Sequence, residues 1–351
     1  MNSQGDWNTC PLPLGINGET LLLAHGEGAR ATRRLIRELL VQPLSNEFLA
    51  PLDDAAVLPD PGRPIVLSTD SYVVSPLFFP GGDIGRLAVH GTINDLAVCG
   101  AEPLYLSMAI IAEEGLAIDT LRRVVESVRD AARDCGVWIV TGDTKVVPRG
   151  AADGVFLNTT GLGRLRPGVR LGAERVQPGD RILVSGTIGD HGLAILAARE
   201  RFDLGEALVS DTAPLHRLVA RLLDSGADVK FLRDPTRGGV SAACHELSEA
   251  TGHAIRLDES STPVSEAVRG ACELLGLDPF YVANEGKLLA VVAEPDVDRA
   301  LEALRSEAIG RNAAAIGQVI ADPGPLVLVR GQLGFDRILD EPTGAPLPRI
   351  C

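Results

Sequence analysis

Between Asp119 and Cys135 apolar residues return at helical spacing: Leu121, Val124, Val125, Val128, Ala131, Ala132 and Cys135 share one face. Asp119 is placed to cap this predicted helix and Gly136 to end it. An earlier helix is predicted where Leu35, Ile36, Leu39 and Leu40 share a face, and two later ones over Gly238–Ala250 and Pro263–Leu275. Thr262 is the expected cap of the last, with Pro263 in its first turn. Short apolar runs read instead as strands: Ile65–Thr69, Leu104–Ile111, Val137–Thr141 and Val155–Gly161, then Arg181–Gly186, Leu288–Ala293 and Leu326–Arg330.

Strands and helices mix without strict alternation, which predicts an α+β chain. The Pro/Gly/Arg-rich stretch Arg164–Arg170 is the expected linker between two domains. Residues 1–20 read as an irregular lead-in, 21–165 as the first domain and 166–335 as the second. From Asp336 the chain turns Pro-rich, ending Pro348-Arg-Ile-Cys351, and 336–351 are expected to be a mobile tail that packs as neither helix nor strand.

The 351 residues carry a net charge of −14. That argues against a nucleic-acid surface, which needs clustered Lys and Arg. Carboxylates can still hold a nucleotide through a shared divalent metal. No apolar run is long enough for a membrane helix, and the polar N-terminus lacks a signal-peptide core, so a cytoplasmic protein is expected. The six cysteines show no zinc spacing. Cys99, Cys135, Cys244 and Cys272 read as buried, and Cys10 as a thiol without an evident role. Cys351 differs, since a terminal thiol does nothing for the stability of a fold.

Acidic residues recur where the predicted strands end, in Asp53-Asp54, Ser68-Thr69-Asp70, Asn94-Asp95 and Thr141-Gly142-Asp143. Asp is common in turns and caps for local reasons. Four such sites together also suit Mg²⁺, which takes hard oxygen ligands and shares them with phosphate. Asp234-Pro-Thr-Arg-Gly-Gly239 precedes a helix. Its glycines allow close backbone approach, the helix start offers N–H groups to phosphate, and Arg237 adds charge. His25-Gly-Glu-Gly28 is a second glycine loop that reads equally as an ordinary turn. Lys145 and Glu285 could form a proton-transfer pair if they meet, and a surface ion pair or no contact is the other reading.

In this order the motifs resemble those of the HypE family of hydrogenase expression/formation proteins, carbamoyl dehydratases of the aminoimidazole ribonucleotide synthetase-like superfamily. The pieces are Ser68-Thr-Asp-Ser-Tyr72, Phe78-Phe-Pro-Gly-Gly82, Thr141-Gly-Asp-Thr-Lys-Val-Val147, Val184-Ser-Gly-Thr-Ile-Gly-Asp-His-Gly192, Asp234-Pro-Thr-Arg-Gly-Gly239, Ala283-Asn-Glu-Gly-Lys287 and Pro348-Arg-Ile-Cys351. One departure is His25-Gly-Glu-Gly-Ala29, where the family usually has His-Gly-x-Gly-Gly.

The resemblance implies a two-domain architecture: an N-terminal sheet domain that forms a barrel in a homodimer, a C-terminal α/β sandwich domain and a flexible tail. It implies ATP and Mg²⁺ as cofactors. It implies a carbamoyl group placed on Cys351 by the carbamoyltransferase HypF, dehydrated to a thiocyanate, and passed as cyanide to iron on a HypC–HypD scaffold complex. Cys351, Lys145 and Glu285 are then the catalytic residues. ATP falls to Asp70, Asn94, Asp95, Thr141, Gly142, Asp143, Asp234, Thr236, Arg237, Gly238 and Gly239, and metal to Asp54, Asp70, Asp95 and Asp234.

Three alternatives make different demands. A small-molecule kinase of the same superfamily, such as a thiamine-phosphate kinase, needs the acidic segments but no terminal thiol. A selenophosphate synthetase fits less well, because the N-terminal segment carries no Cys beyond Cys10. A non-catalytic metallochaperone would use Cys351 as a metal ligand, although the tail offers no second Cys or His.

Overall fold

The computed structural model describes residues 20–26, 30–52, 55–200, 208–323 and 326–341. Asp54, Cys10, Cys351, Glu27 and Gly28 lie outside the described residues.

The first sheet contains β1 (Ile65–Tyr72), β4 (Ala101–Glu113), β5 (Trp138–Val147) and β6 (Val155–Leu165), in the order β1-β6-β4-β5, with a separate pair of short strands, β2 (Phe78–Phe79) and β3 (Gly82–Asp83). β6 lies antiparallel to both β1 and β4, and β5 runs parallel to β4. The helical pieces are α1 (Arg30–Leu35) and α2 (Gln42–Leu44), joined by a π-helical segment Ile36–Val41, then α3 (Ile84–Val98) and α4 (Ile118–Cys135).

The amphipathic pattern read for α4 is realised, with its apolar face buried and Gly136 closing the helix at φ 73°, in the left-handed region glycine favours. Asp119 lies in the first turn rather than at the cap, which is Ala117. Helix α3 has no counterpart in the sequence pattern. Thirteen of its fifteen residues are buried, so no polar face marks it. Asp83 caps it by accepting from the N–H groups of Gly85 and Arg86.

The second sheet has seven strands: β7 (Arg181–Val184), β8 (Val229–Arg233), β9 (His253–Asp258), β10 (Leu289–Val292), β11 (Ala314–Pro323), β12 (Val327–Arg330) and β13 (Asp336–Ile338). Their order is β13-β12-β9-β11-β7-β10-β8. Around it run α5 (Asp190–Glu200), α6 (His216–Asp224), α7 (Gly239–Thr251), α8 (Glu266–Leu275) and α9 (Val297–Arg305). One core joins Val240, Cys244 and Leu247 of α7 to Val184, Ile255 and Val291. Another joins Leu218, Leu222 and Leu304 of α6 and α9 to Leu183, Ala290 and Val292. Leu193, Ile195 and Val268 of α5 and α8 belong instead to the core of the first sheet, so one apolar cluster runs across the junction. That shared core makes the relation between the two sheets a packed one.

Three expectations are corrected. Ser265, not Thr262, caps α8 by accepting from the Val268 N–H, while Thr262 donates to the Asp258 carbonyl. The chain does not leave the fold at Asp336: β13 pairs with β12, Leu339 is buried, and the Asp340 carbonyl accepts from the Tyr281 hydroxyl. The Pro-rich remainder from 342 lies outside the described residues. Cys99 is exposed, whereas Cys135, Cys244 and Cys272 are buried.

Candidate active site

The three acidic segments that fall among the described residues are not turns. Asp70 lies within β1, Asp95 within α3, and Asp143 in the middle of β5. The expected break at Gly142 is a close strand approach: a Cβ there would stand 2.2 Å from the Met108 carbonyl of β4. Only Asp234 occupies the expected loop, directly before α7.

Packing α3 against β1 brings two carboxylates together. The Ser68 hydroxyl donates to Asp95 Oδ2 at 2.5 Å, and the Thr92 hydroxyl donates to Asp70 Oδ2 at 3.2 Å. Burial, with the neighbouring Asp95 carboxylate next, raises the Asp70 carboxyl to about 6. Asp234 joins them from the second domain. Its carboxyl is raised to about 7, by burial first and then by Asp95, with Asp70 adding to the effect. Glu285 completes the group from the turn before β10. It is buried, and its carboxyl is pushed well above the usual range by burial, then by Asp234, Asp211 and Asp70; Arg237 opposes the shift. Arg237, exposed at the rim, likewise lowers the Asp70 carboxyl.

In the Asp234 loop, Gly238 and Gly239 adopt φ of 76° and 62°. A side chain on Gly239 would also meet the Phe280 and Val282 carbonyls at 2.6 Å, so both conformation and space require glycine there. Thr236 is bound into the loop through its main chain: its N–H donates to the Asp234 carbonyl, and its own carbonyl accepts from Gly239 N–H. Asn94, expected to touch ATP, is spent on protein. Its Nδ2 donates to the carbonyls of Ala213 and Glu285, and its Oδ1 accepts from Leu215 N–H.

Thr141, Gly142 and Asp143 lie elsewhere. Strand pairing places Asp70, Thr159, Met108 and Gly142 in one row across the sheet. Three strand spacings therefore separate Asp70 from Gly142, about 14 Å. Thr141, Gly142 and Asp143 line a separate cavity of about 770 Å³. Its wall includes Ile36, Leu40 and Phe48, and Arg33 and Arg37 stand at its edge.

Lys145 and Glu285 do not meet within one protomer. Lys145 Nζ bonds Asp143 Oδ1 at 3.1 Å, with both side chains exposed on β5, whereas Glu285 is tied to α3 on the helix-covered side of the sheet. Among the described residues no three His, Cys, Asp or Glu side chains stand close enough together to hold a metal ion. Asp211 and Lys287, which the motifs did not single out for chemistry, lie directly beneath Glu285. Lys287, two positions beyond Glu285 in the Asn-Glu-Gly-Lys run, was the available signal.

Known proteins share this sequence and fold. The AIR synthase related protein family matches over residues 52–165 with its N-terminal domain and 177–329 with its C-terminal domain. Carbamoyl dehydratase HypE of Cupriavidus necator is 50% identical over 340 residues, covering 97% of each chain. A crystal structure of the hydrogenase maturation protein HypE in complex with ATP superposes with a TM-score of 0.91 at 48% identity, over 95% of this chain and 100% of that one. HypE in a HypE–HypF complex gives 0.77 at 45% identity, over 88% and 99%. Thiamine-monophosphate kinase of Stenotrophomonas maltophilia K279a, at 23% identity and a TM-score of 0.64 over 85% and 95%, shares the fold alone. Among the described residues no helix is long and apolar enough to cross a membrane.

Proposed function

The chain belongs to the HypE family of carbamoyl dehydratases, enzymes of hydrogenase maturation, and from that premise we propose that it dehydrates an S-carbamoyl group carried on its own Cys351. The observation that carries this reading is the meeting of Asp70, Asp95, Asp234 and Glu285 between the two domains. They come from four separate segments, and the Glu285 carboxyl is held towards its neutral form.

Dehydration removes one oxygen and two protons from the amide. Hydroxide leaves poorly, so ATP supplies a phosphoryl group to that oxygen, and the departing phosphate takes the oxygen with it. One proton leaves with the phosphate and one is released, giving thiocyanate, ADP and phosphate. Burial raises the Glu285 carboxyl well above the usual range, so in its ionised form it is a stronger base than an ordinary carboxylate and is suited to receive an N–H proton. Lys145, whose exposed side chain does not reach Glu285 within one protomer, is the proposed second member of the relay across the two copies of the dimer.

ATP fits two places in one row of the sheet: apolar walls and two arginines at the β5 edge, and acidic groups with Arg237 at the β1 edge. Thr236, Gly238 and Gly239 shape the loop that would face its phosphates. Asp70, Asp95 and Asp234 fit Mg²⁺, because burial first and then their mutual repulsion raise two of the three carboxyls, and a cation would relieve that repulsion. When bound there, Mg²⁺ would offset charge on the transferring phosphoryl group. Three pre-formed ligands are not required, since Mg²⁺ commonly takes one or two carboxylates along with phosphate and water.

The open face of the first sheet exposes Ile65, Leu67, Ile111 and Trp138, which suits a homodimer formed there. HypF as carbamoyl donor, and a HypC–HypD complex as acceptor of the cyano group, follow from the family chemistry. A thiol that travels between these stations explains why the substrate is covalent.

Mass spectrometry tests the reading. Carbamoylated protein given Mg·ATP is expected to lose the mass of one water from its C-terminal peptide. ATP hydrolysis without that loss, or full turnover after removal of the last four residues, would overturn it and favour a kinase.

A further inference from the structure

Both main-chain polar groups of Glu285 are gripped by buried side chains. Its carbonyl accepts from Asn94 Nδ2 at 3.2 Å, and its N–H donates to Asp211 Oδ1 at 3.0 Å. Asp211 is itself fixed, because its Oδ2 takes Lys287 Nζ at 3.0 Å in an ion pair whose side chains are only 4% and 10% exposed. Glycines clear the way for this arrangement. A Cβ on Gly286 would stand 1.8 Å from the Asp211 carbonyl, and one on Gly186 would stand 2.9 Å from Lys287 Cε. The turn bearing Glu285 therefore lies flat on the Asp211 loop, and Lys287 passes beneath it.

We propose that Asp211, with Lys287 as its counter-ion, is a positioning residue for the dehydration: it fixes the Glu285 main chain and so aims the Glu285 carboxyl at the reacting amide. Asp211 touches no substrate in this reading, which rests on Glu285 as the proton acceptor. A buried charge pair is a costly way to hold a loop, since desolvation offsets much of its attraction. What it supplies here is an acceptor in a fixed place. A donor or base displaced by about 1 Å can cost on the order of 10²-fold in rate.

The test separates the acceptor oxygen from the buried charge. In full-length K287M protein the cation paired with Asp211 is gone, and Asp211 is changed to Asn or to Ala. D211N/K287M keeps an oxygen for the Glu285 N–H and is expected to dehydrate the carbamoylated tail within about fivefold of wild type. D211A/K287M is expected to lose on the order of 10²-fold in single-turnover rate, with the ATP concentration at half-saturation unchanged.

Equal rates for the two variants, or a loss confined to ATP half-saturation, would overturn the proposal. Thermal melting reports whether D211A/K287M folds. If it does not, D211S/K287M takes its place under the same criteria, its shorter side chain filling the site without reaching the N–H. E285Q serves as the control. Normal turnover by E285Q would sink the proton-acceptor reading itself, whereas impaired E285Q beside a fully active D211A/K287M sinks only the positioning role of Asp211.

Discussion

The side-chain amide of Asn94, on α3 of the first domain, donates to the main-chain carbonyl of Glu285 in the second at 3.2 Å. One residue thus registers Asp95, its neighbour on the helix, against Glu285 across the domain junction. Asn94→Ala removes three hydrogen bonds, two of them fully buried, and leaves the Leu215 N–H without its acceptor. A loss of about 2–4 kcal/mol is expected, read as a lower denaturant midpoint, with ATP binding weakened only as far as the junction loosens.

The crowded carboxyls give stability a pH dependence of definite sign. Asp70 and Asp234 titrate at about 6 and about 7 in the folded protein, against an ordinary value of 3.8. Between about pH 4 and 7 the folded chain therefore binds protons that the unfolded chain has released, and stability falls as pH rises through that window. D234N removes one such group. Without divalent metal its urea midpoint is expected to gain on that of wild type between pH 5 and pH 8. A gain in the opposite direction would mean that Asp234 is stabilised as its anion.

Lys145 and Asp143 form an exposed pair on β5. Such pairs contribute at most about 1 kcal/mol, so K145M is expected to melt close to wild type. Loss of dehydration in a K145M protein that melts normally and still binds ATP would place Lys145 in the chemistry. Undiminished turnover would remove it from the relay.

Gly286→Ala is expected to be among the most damaging small substitutions. The new methyl group would meet the Asp211 carbonyl at 1.8 Å and the Ala213 nitrogen at 2.8 Å, both main-chain atoms with little room to give. A destabilisation of about 3 kcal/mol should appear in chemical unfolding, with dehydration failing even in the fraction that remains folded.

Leu67 and Ile65 stand exposed side by side on β1's open face. L67K places a charge where the proposed partner copy packs. Sedimentation velocity is expected to show the change from dimer to monomer, while an unchanged dimer would put the interface elsewhere.

Helix α4 was legible because its apolar residues keep a helical period beside a polar face, and its end because Gly136 reaches a conformation other residues avoid. Helix α3 was not legible for the opposite reason, since burial on nearly every side erases the contrast that periodicity reports. Gly142-Asp143 misled in another way. A glycine beside an aspartate usually signals a turn, but here the glycine serves the close passage of β4.

The sequence by itself determined the family, the composition of the candidate site and most strong local elements, because motifs and periods are properties of neighbouring residues. Only the tertiary structure decided which of those residues meet. It drew Asp70, Asp95, Asp234 and Glu285 into one group, sent Asn94 to brace the junction, and left Lys145 with Asp143 at the far edge of the sheet. It also brought forward Asp211, which lies 74 residues before Glu285 yet holds its N–H. The physical reason is that such contacts are set by how α3 and the Asp211 loop pack across a shared core, and spacing along a chain carries no record of distances through space.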